Sequence, residues 1–263
     1  MLKVDNISLK NTNIDSISFT VNKGDVFLLS GPSGAGKSTL LKCLAQLVPY
    51  DSGSVYFHDL SPDDMTTPVW RTHVLYVPQE PARLAGTPRD LWTRILGFRS
   101  WYSQSFHGKN SQAPRSSSLF GRLFSLSSPR DPTTLMDCES TQDNYQSNIP
   151  SDPVKIGITW NLPIEIWDRE WNRLSGGECQ RAALAINVAL MIKHRQGNGI
   201  LLLDEPTSAV DSETVLKIED TLLNNSLTLM WVTHSQDQAQ RIRSSPGGGQ
   251  IINLTPSVLA HEE

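Results

Sequence analysis

Apolar and polar positions alternate in short runs along the first third of the chain. "KVDNISL", "DSISFTV", "DVFLLS", "SVYFHD" and "HVLYV" each read as strands. Only "KSTLLKCLAQLV", with apolar residues three and four apart, predicts a helix among them. The pattern changes near Leu174. From there a helix beginning at Ser175 is followed by strand "GILLLD", a helix from Asp211, strand "LTLMWVTH", a short helix and strand "GQIINLT". Strands alternating with helices predict a parallel sheet covered by helices, so the fold class is α/β.

The stretch near 99–150 has a different composition. It is dense in Ser, Asn, Gln and Pro and has no sustained period. Such a stretch cannot bury enough apolar surface to offset chain entropy, and it reads as a disordered insertion. Within it, "SSSLFGRLFSLSS" is the one piece with the composition to become helical on a partner, and its serines invite phosphorylation. The plainer reading, a tolerated spacer, is the favoured one.

Bulk properties narrow the function classes. The 263 residues carry a net charge of −4, with a pI near 5.9, so no general footprint for nucleic acid is present. Cys43, Cys138 and Cys179 lie far apart, which argues against a zinc site or a disulfide framework and fits a reducing compartment. "MLKVDNISLK" alternates like a strand and has no signal-peptide core, and "VFLL" and "GILLLD" are too short to cross a bilayer. The expectation is a soluble chain; any membrane span must come from another protein.

The first chemical signal is "GPSGAGKST", Gly31 to Thr39, which matches G-x-x-x-x-G-K-[ST]. It follows an apolar strand and opens an apolar helix, the context a phosphate loop needs. Gly31, Pro32, Ser33, Gly34, Ala35 and Gly36 would wrap backbone N–H groups around phosphates at the helix start. Lys37 would reach the β- and γ-phosphates, and the Ser38 hydroxyl, followed by Thr39, would ligate Mg²⁺. "GILLLDE" supplies the companion: Asp204 for the magnesium shell and Glu205 placed to polarise an attacking water. The plain alternative for Glu205 is a surface acid at a strand end.

The second signal is "LSGGECQ". Ser175 and Glu178 have capping-box spacing, which leaves Gly176 and Gly177 unexplained. Two glycines in a first turn cost up to about 1 kcal/mol each against alanine, and indicate close approach to the backbone.

Taken in order, the phosphate loop, "YVPQEP" with Gln79, "LSGGECQ", "ILLLDEPTSAVD" and "WVTH" with His234 resemble the nucleotide-binding domain of an ABC-type ATPase. The resemblance covers nearly the whole chain except the insertion. It implies a P-loop NTPase fold of ABC type, with a mixed sheet core, an antiparallel β subdomain and a short helical subdomain interrupted by the insertion. It divides a single domain, 1–263, into a catalytic core of about 1–79 and 174–263 and a helical subdomain of about 80–173. "TPRDLWTRIL" and "LPIEIWDREW" supply the helices there.

The resemblance also implies ATP and Mg²⁺ as cofactors and a head-to-tail dimer with a second copy. Ser175, Gly176, Gly177 and Glu178 would then cover the γ-phosphate held by the other copy's phosphate loop. Gln79 would bind Mg²⁺ with Ser38 and Asp204, Asp211 would lie across the dimer interface, and His234 would contact the γ-phosphate. Glu205, His234 and Lys37 form the implied catalytic set. Three positions depart from the pattern. No aromatic residue stands near the second strand for the adenine, Leu9 being closest to that place; Cys179 and Val210 replace commoner residues.

The implied function is the ATP-hydrolysing subunit of an ABC transporter. It would act on the cytosolic face of a membrane through a polytopic membrane protein, with no nucleic-acid partner. The narrower likeness is to the small ATPases of iron-efflux and aluminium-tolerance systems. The insertion has no heptads for a coiled coil, one isolated cysteine cannot build a zinc module, and there is one ATPase domain, which disfavour the non-transport branches. A soluble regulatory ABC ATPase remains the alternative, and a P-loop kinase is disfavoured because kinases have no use for LSGGE.

Overall fold

The computed structural model describes residues 1–10, 12, 14–101, 148–245 and 248–254. Most of the Ser-rich insertion, including "SSSLFGRLFSLSS", lies outside the described residues.

Two sheets organise the chain. Strands β1 (Leu2–Leu9), β2 (Ile14–Val21) and β4 (Ser52–Phe57) form an antiparallel sheet in the order β2-β1-β4. Strands β3 (Val26–Ser30), β5 (Val74–Val77), β6 (Ile200–Asp204), β7 (Thr228–Val232) and β8 (Gly248–Asn253) form a parallel sheet in the order β5-β6-β7-β3-β8. Every residue of β6 and β7 is buried, as expected of strands covered on both faces.

Side-chain alternation divides the core into two. Leu28, Leu201, Leu203, Leu229 and Trp231 face a cluster built with α5 (Gly176–Arg195) and α6 (Ser212–Leu223). Phe27, Leu29, Leu202, Met230 and Val232 face the opposite cluster, built with α1 (Lys37–Leu44), α2 (Thr67–His73) and the antiparallel sheet. The parallel sheet is the middle layer, and the carboxyl ends of β3, β6 and β7 deliver Gly31, Glu205 and His234 to one edge.

Between the catalytic-core segments lie α3 (Pro88–Leu96) and α4 (Pro153–Thr159). The helix α3 falls on "TPRDLWTRIL", with Thr87 and Asp90 completing a capping box. The second expected helix is not one: within "LPIEIWDREW" the backbone makes short 3-10 turns at Ile164–Asp168 and Trp171–Arg173. The helix is instead α4, earlier in the chain, begun by the Asp152 cap and Pro153. Trp160, Trp167 and Trp171 are all fully buried, and Trp167 packs so closely on α4 that a Cβ at Gly157 would stand 2.9 Å from its ring.

The roots of the insertion belong to the core, which corrects its expected boundaries. Trp101 and Ile149 are 7% and 5% exposed and join the α5 cluster. The Trp101 ring lies 5.1 Å from that of His194, with the Arg195 guanidinium 5.7 Å away. Arg195 in turn donates to the carbonyl and hydroxyl of Thr72 on α2.

Candidate active site

Helix α1 opens at Gly36, whose φ of +94° favours glycine, and no side chain caps its first turn. Its leading N–H groups and the positive end of the helix dipole therefore face an open cleft. That cleft, of about 340 Å³, is lined by Ser33, Gly34, Gly36, Lys37, Ser38 and Thr39 of the loop, with Thr12, Gln79, Glu205 and His234. The Lys37 ammonium folds onto its own loop, donating to the carbonyls of Gly31 at 2.8 Å and Pro32 at 2.9 Å.

The acids arrive from the end of β6. Asp204 is 3% exposed and accepts from the Ser38 hydroxyl at 2.9 Å through Oδ1 and from the Tyr76 hydroxyl at 2.9 Å through Oδ2. Burial, and then the bond to Asp204, pushes the Tyr76 phenol well above its usual range, so it stays a donor. Ser38 and Asp204 are hard oxygen donors within reach of each other, which fits a Mg²⁺ ion.

Glu205 turns out of the sheet at φ +47°, an unusual backbone for a side-chain-bearing residue. Its N–H donates to Val232 O at 3.1 Å, so β7 holds the turn. The carboxylate accepts from Gln79 Nε2 at 3.2 Å through Oε2, and Oε1 lies 3.0 Å from His234 Nε2. Three residues expected from separate motifs thus meet at the cleft mouth.

Ser175–Glu178 stand elsewhere, outside the lining of this cleft. The capping box is present: Glu178 Oε2 accepts from Ser175 N–H at 2.8 Å, and Ser175 Oγ accepts from Glu178 N–H at 3.3 Å. The bond to Ser175 N–H holds the Glu178 carboxyl below the usual range. A Cβ at Gly177 would stand only 2.6 Å from the Ala209 carbonyl oxygen, whereas one at Gly176 would make an ordinary 3.5 Å contact. The approach that requires Gly177 comes from within the chain; Gly176 is the one with space beside it. Asp211 caps α6, its Oδ1 accepting from Thr214 N–H at 2.9 Å. Cys179 is buried against the Trp171 and Leu174 carbonyls.

Leu9 does not face the cleft. It ends β1, is 5% exposed and packs in the antiparallel core, while Thr12 in the connection that follows lines the cleft. Between β1 and β2, Thr12 Oγ1 donates to Leu9 O at 2.8 Å. Asn11 and Asn13 lie outside the described residues. Sequence reasoning also missed Tyr76 and Gln180. A tyrosine ending an apolar strand beside Gln79, and a glutamine on the apolar side of α5, were the available signals.

The comparisons with known proteins bear on the family and the fold. A family model described as ABC transporter matches residues 14–208. The probable iron export ATP-binding protein FetA of Escherichia coli is 26% identical over 247 residues, covering 92% of this chain and 84% of its own. The putative ABC transporter ATP-binding protein YjkB of Bacillus subtilis is 29% identical, covering 87% and 72%. A phosphate import protein, PstB of Bacillus cereus, is 27% identical, covering 92% and 77%. Among solved structures, the dimeric cassette MJ0796 superposes with a TM-score of 0.63 at 21% identity, covering 97% of this chain and 95% of that one. That likeness is one of fold. With the matched model spanning most of the chain, and phosphate loop, acids and histidine gathered at one cleft, the chain belongs to the ABC transporter family as an ATP-binding and ATP-hydrolysing member.

Proposed function

We propose that this chain is the ATPase subunit that drives a transporter through a separate membrane-spanning protein, working as a head-to-tail dimer on the cytoplasmic side. The observation that carries the catalytic part is Glu205, held between Gln79 and His234 at the mouth of the phosphate-loop cleft. The loop N–H groups and Lys37, released from the Gly31 and Pro32 carbonyls, bind the phosphates of ATP. Ser38, Asp204 and Gln79 would hold Mg²⁺, which would supply positive charge against that of the phosphates. Glu205 orients the attacking water, and His234 contacts the γ-phosphate and steadies Glu205.

The signature residues Ser175, Gly176, Gly177 and Glu178 lie outside the cleft of their own chain, which supports their acting on a second copy's nucleotide. Asp211 then lies at the dimer interface. No helix of the described residues is long and apolar enough to cross a membrane, so this reading assigns the span to a partner. The strand-free segment from 80 to 173, as far as it is described, is the helical subdomain of this reading, and the two sheets form its catalytic core. The relatives are named for iron export and phosphate import, so their names leave substrate and direction open.

Glu205→Gln tests the assignment. It keeps both the size and the bond from Gln79, so ATP should still bind while turnover falls by on the order of a hundredfold or more. An ATP-dependent dimer should accumulate in size-exclusion chromatography. Near-normal hydrolysis in this variant would place the general base elsewhere.

A further inference from the structure

The loop after Glu205 is held by two buried glutamines that come from different helices. On one side Gln238, from α7 (Gln236–Arg243), donates to Thr207 Oγ1 at 3.1 Å and Glu219 Oε1 at 2.9 Å. Arg241 fixes Glu219 through two further bonds, at 2.5 and 2.8 Å. This side ties the loop to the helix that follows His234.

On the other side stands Gln180, 4% exposed, one turn into α5 from Gly176. Its Nε2 donates to Gln79 O at 2.7 Å and to Ser208 Oγ at 2.9 Å. Its Oε1 accepts from Ala209 N–H at 2.9 Å. Both amide protons are used, and the third bond fixes which way the amide faces. Gln180 thereby joins three separate pieces of chain: the strand-end loop whose side chain touches Glu205, the loop that begins with Glu205, and the helix that carries the signature residues. Gly177 is seated against the Ala209 carbonyl, so the contact is continued by backbone as well.

We propose that Gln180 is a positioning residue for hydrolysis. By this account it locks the Gln79 loop and the 208–209 loop in register around Glu205, and transmits to them the position of the signature helix. The inference rests on the trans reading above. If Ser175 acts on the partner's nucleotide while Gln180 braces Glu205 of its own chain, the first turn and a half of α5 connects the two composite sites of the dimer. Displacement of the signature helix at one site then disturbs the water-orienting carboxylate at the other.

The test is Gln180→Met, which fills the volume without the three hydrogen bonds, measured beside Gln180→Glu. The glutamate can still accept from Ala209 N–H but cannot donate to Gln79 O or Ser208. The expected result for both is a kcat at least tenfold below that of the unmodified protein. The KM for ATP, and the affinity of the monomer for a fluorescent ATP analogue, should stay within about twofold. Ser208→Ala alone should lower kcat less, and added to Gln180→Met it should lower it no further. A purely structural role would weaken nucleotide binding and thermal stability without splitting kcat from KM. Unchanged kcat in either variant, or parallel loss of kcat and affinity in both, overturns the proposal. If the methionine variant does not fold, the glutamate variant decides by the same criterion. Failure of Ser175→Arg to act in trans, with the Gln180 variants still losing kcat alone, would remove the link between sites and leave the positioning role.

Discussion

Trp101 is the last described residue before the Ser-rich segment, and two deletions that differ by three residues there should behave very differently. Replacing residues 102–147 by a short Gly/Ser linker removes nothing described in the core. The composition of the segment predicts a flexible loop, for which each halving in length lowers the closure cost by about 0.6 kcal/mol, so cutting it to about an eighth would return about 2 kcal/mol at most. Starting the same deletion at Arg99 also removes Trp101, which is buried against His194, Arg195 and the α5 cluster. Loss of a buried tryptophan costs about 3–5 kcal/mol, and the cation–π contact with Arg195 adds about 0.5–1. Urea unfolding should place the 102–147 deletion at or slightly above the unmodified protein, with basal ATPase activity kept. Trp101→Ala in the intact chain should fall by about 3.5–6 kcal/mol, and the 99–147 deletion by up to about 2 kcal/mol less, because the shorter loop offsets part of the loss. Equal stability of the two deletions would refute the anchoring role of Trp101. Unfolding of the shorter deletion would show that the Ser-rich segment is itself part of the core.

Two further predictions concern acid and the base. Burial first, and then the Arg195 charge, lowers His73 to about 4; burial, then Lys193 and Arg195, lowers His194 to about 4. Folding therefore favours the neutral rings, and their contribution is present above the unfolded value near 6.5 and lost as pH falls toward 4. With partial exposure discounted, the combined loss is on the order of 2–3 kcal/mol over that window, and His73→Leu should flatten part of it. The depressed carboxylates Glu178, Glu213, Asp90, Asp168 and Asp211 lose their contribution in the same direction, at the foot of that window and below it, so a flat profile between pH 6.5 and 4 would contradict the reading. Among the described residues no aromatic carbon skeleton of Phe, Tyr or Trp lines the phosphate cleft, so ATP and GTP should bind with similar affinity. A tenfold or larger preference for ATP in equilibrium dialysis would reveal a base contact outside these residues.

Much of the site was legible because its chemistry is local in sequence. The phosphate loop needs nine consecutive residues, and the Asp204–Glu205 pair follows directly from a strand that ends in two acids. Ser175 and Glu178 were readable as a capping box, and the box is there. The parts that were not legible depend on distant segments or on register. Gln180 meets Gln79 and Ser208 from 101 and 28 residues away, and Tyr76 meets Asp204 across 128. Leu9 was only the residue closest to the place of the missing aromatic, and its burial at the end of β1, with Thr12 lining the cleft instead, depends on turn geometry that alternation does not encode. "LPIEIWDREW" was expected to be helical from the family's helical subdomain, but Pro163 and the packing of Trp167 on Gly157 favour short 3-10 turns instead. The helix α4, rich in β-branched residues and carrying a glycine, has poor intrinsic propensity and is held by that same packing. The Ala209 carbonyl beside Gly177 is a second reason for a glycine there, and no spacing along the sequence announces it.

The central claim is that each ATP is hydrolysed between two copies, with Glu205 and Lys37 from one and Ser175 from the other. Its most direct test is a mixing experiment with Ser175→Arg and Lys37→Ala proteins, each inactive alone. Ser175→Arg should bind ATP as the unmodified monomer does, because Ser175 lies outside the cleft of its own chain. In the mixed dimer, one site combines the intact cleft of the Ser175→Arg chain with the intact signature of the Lys37→Ala chain. Recovery of hydrolysis on mixing, up to about half the unmodified rate per dimer, is the predicted result. No recovery on mixing, together with Ser175→Arg monomers that lose ATP affinity as severely as Lys37→Ala, would contradict the trans arrangement.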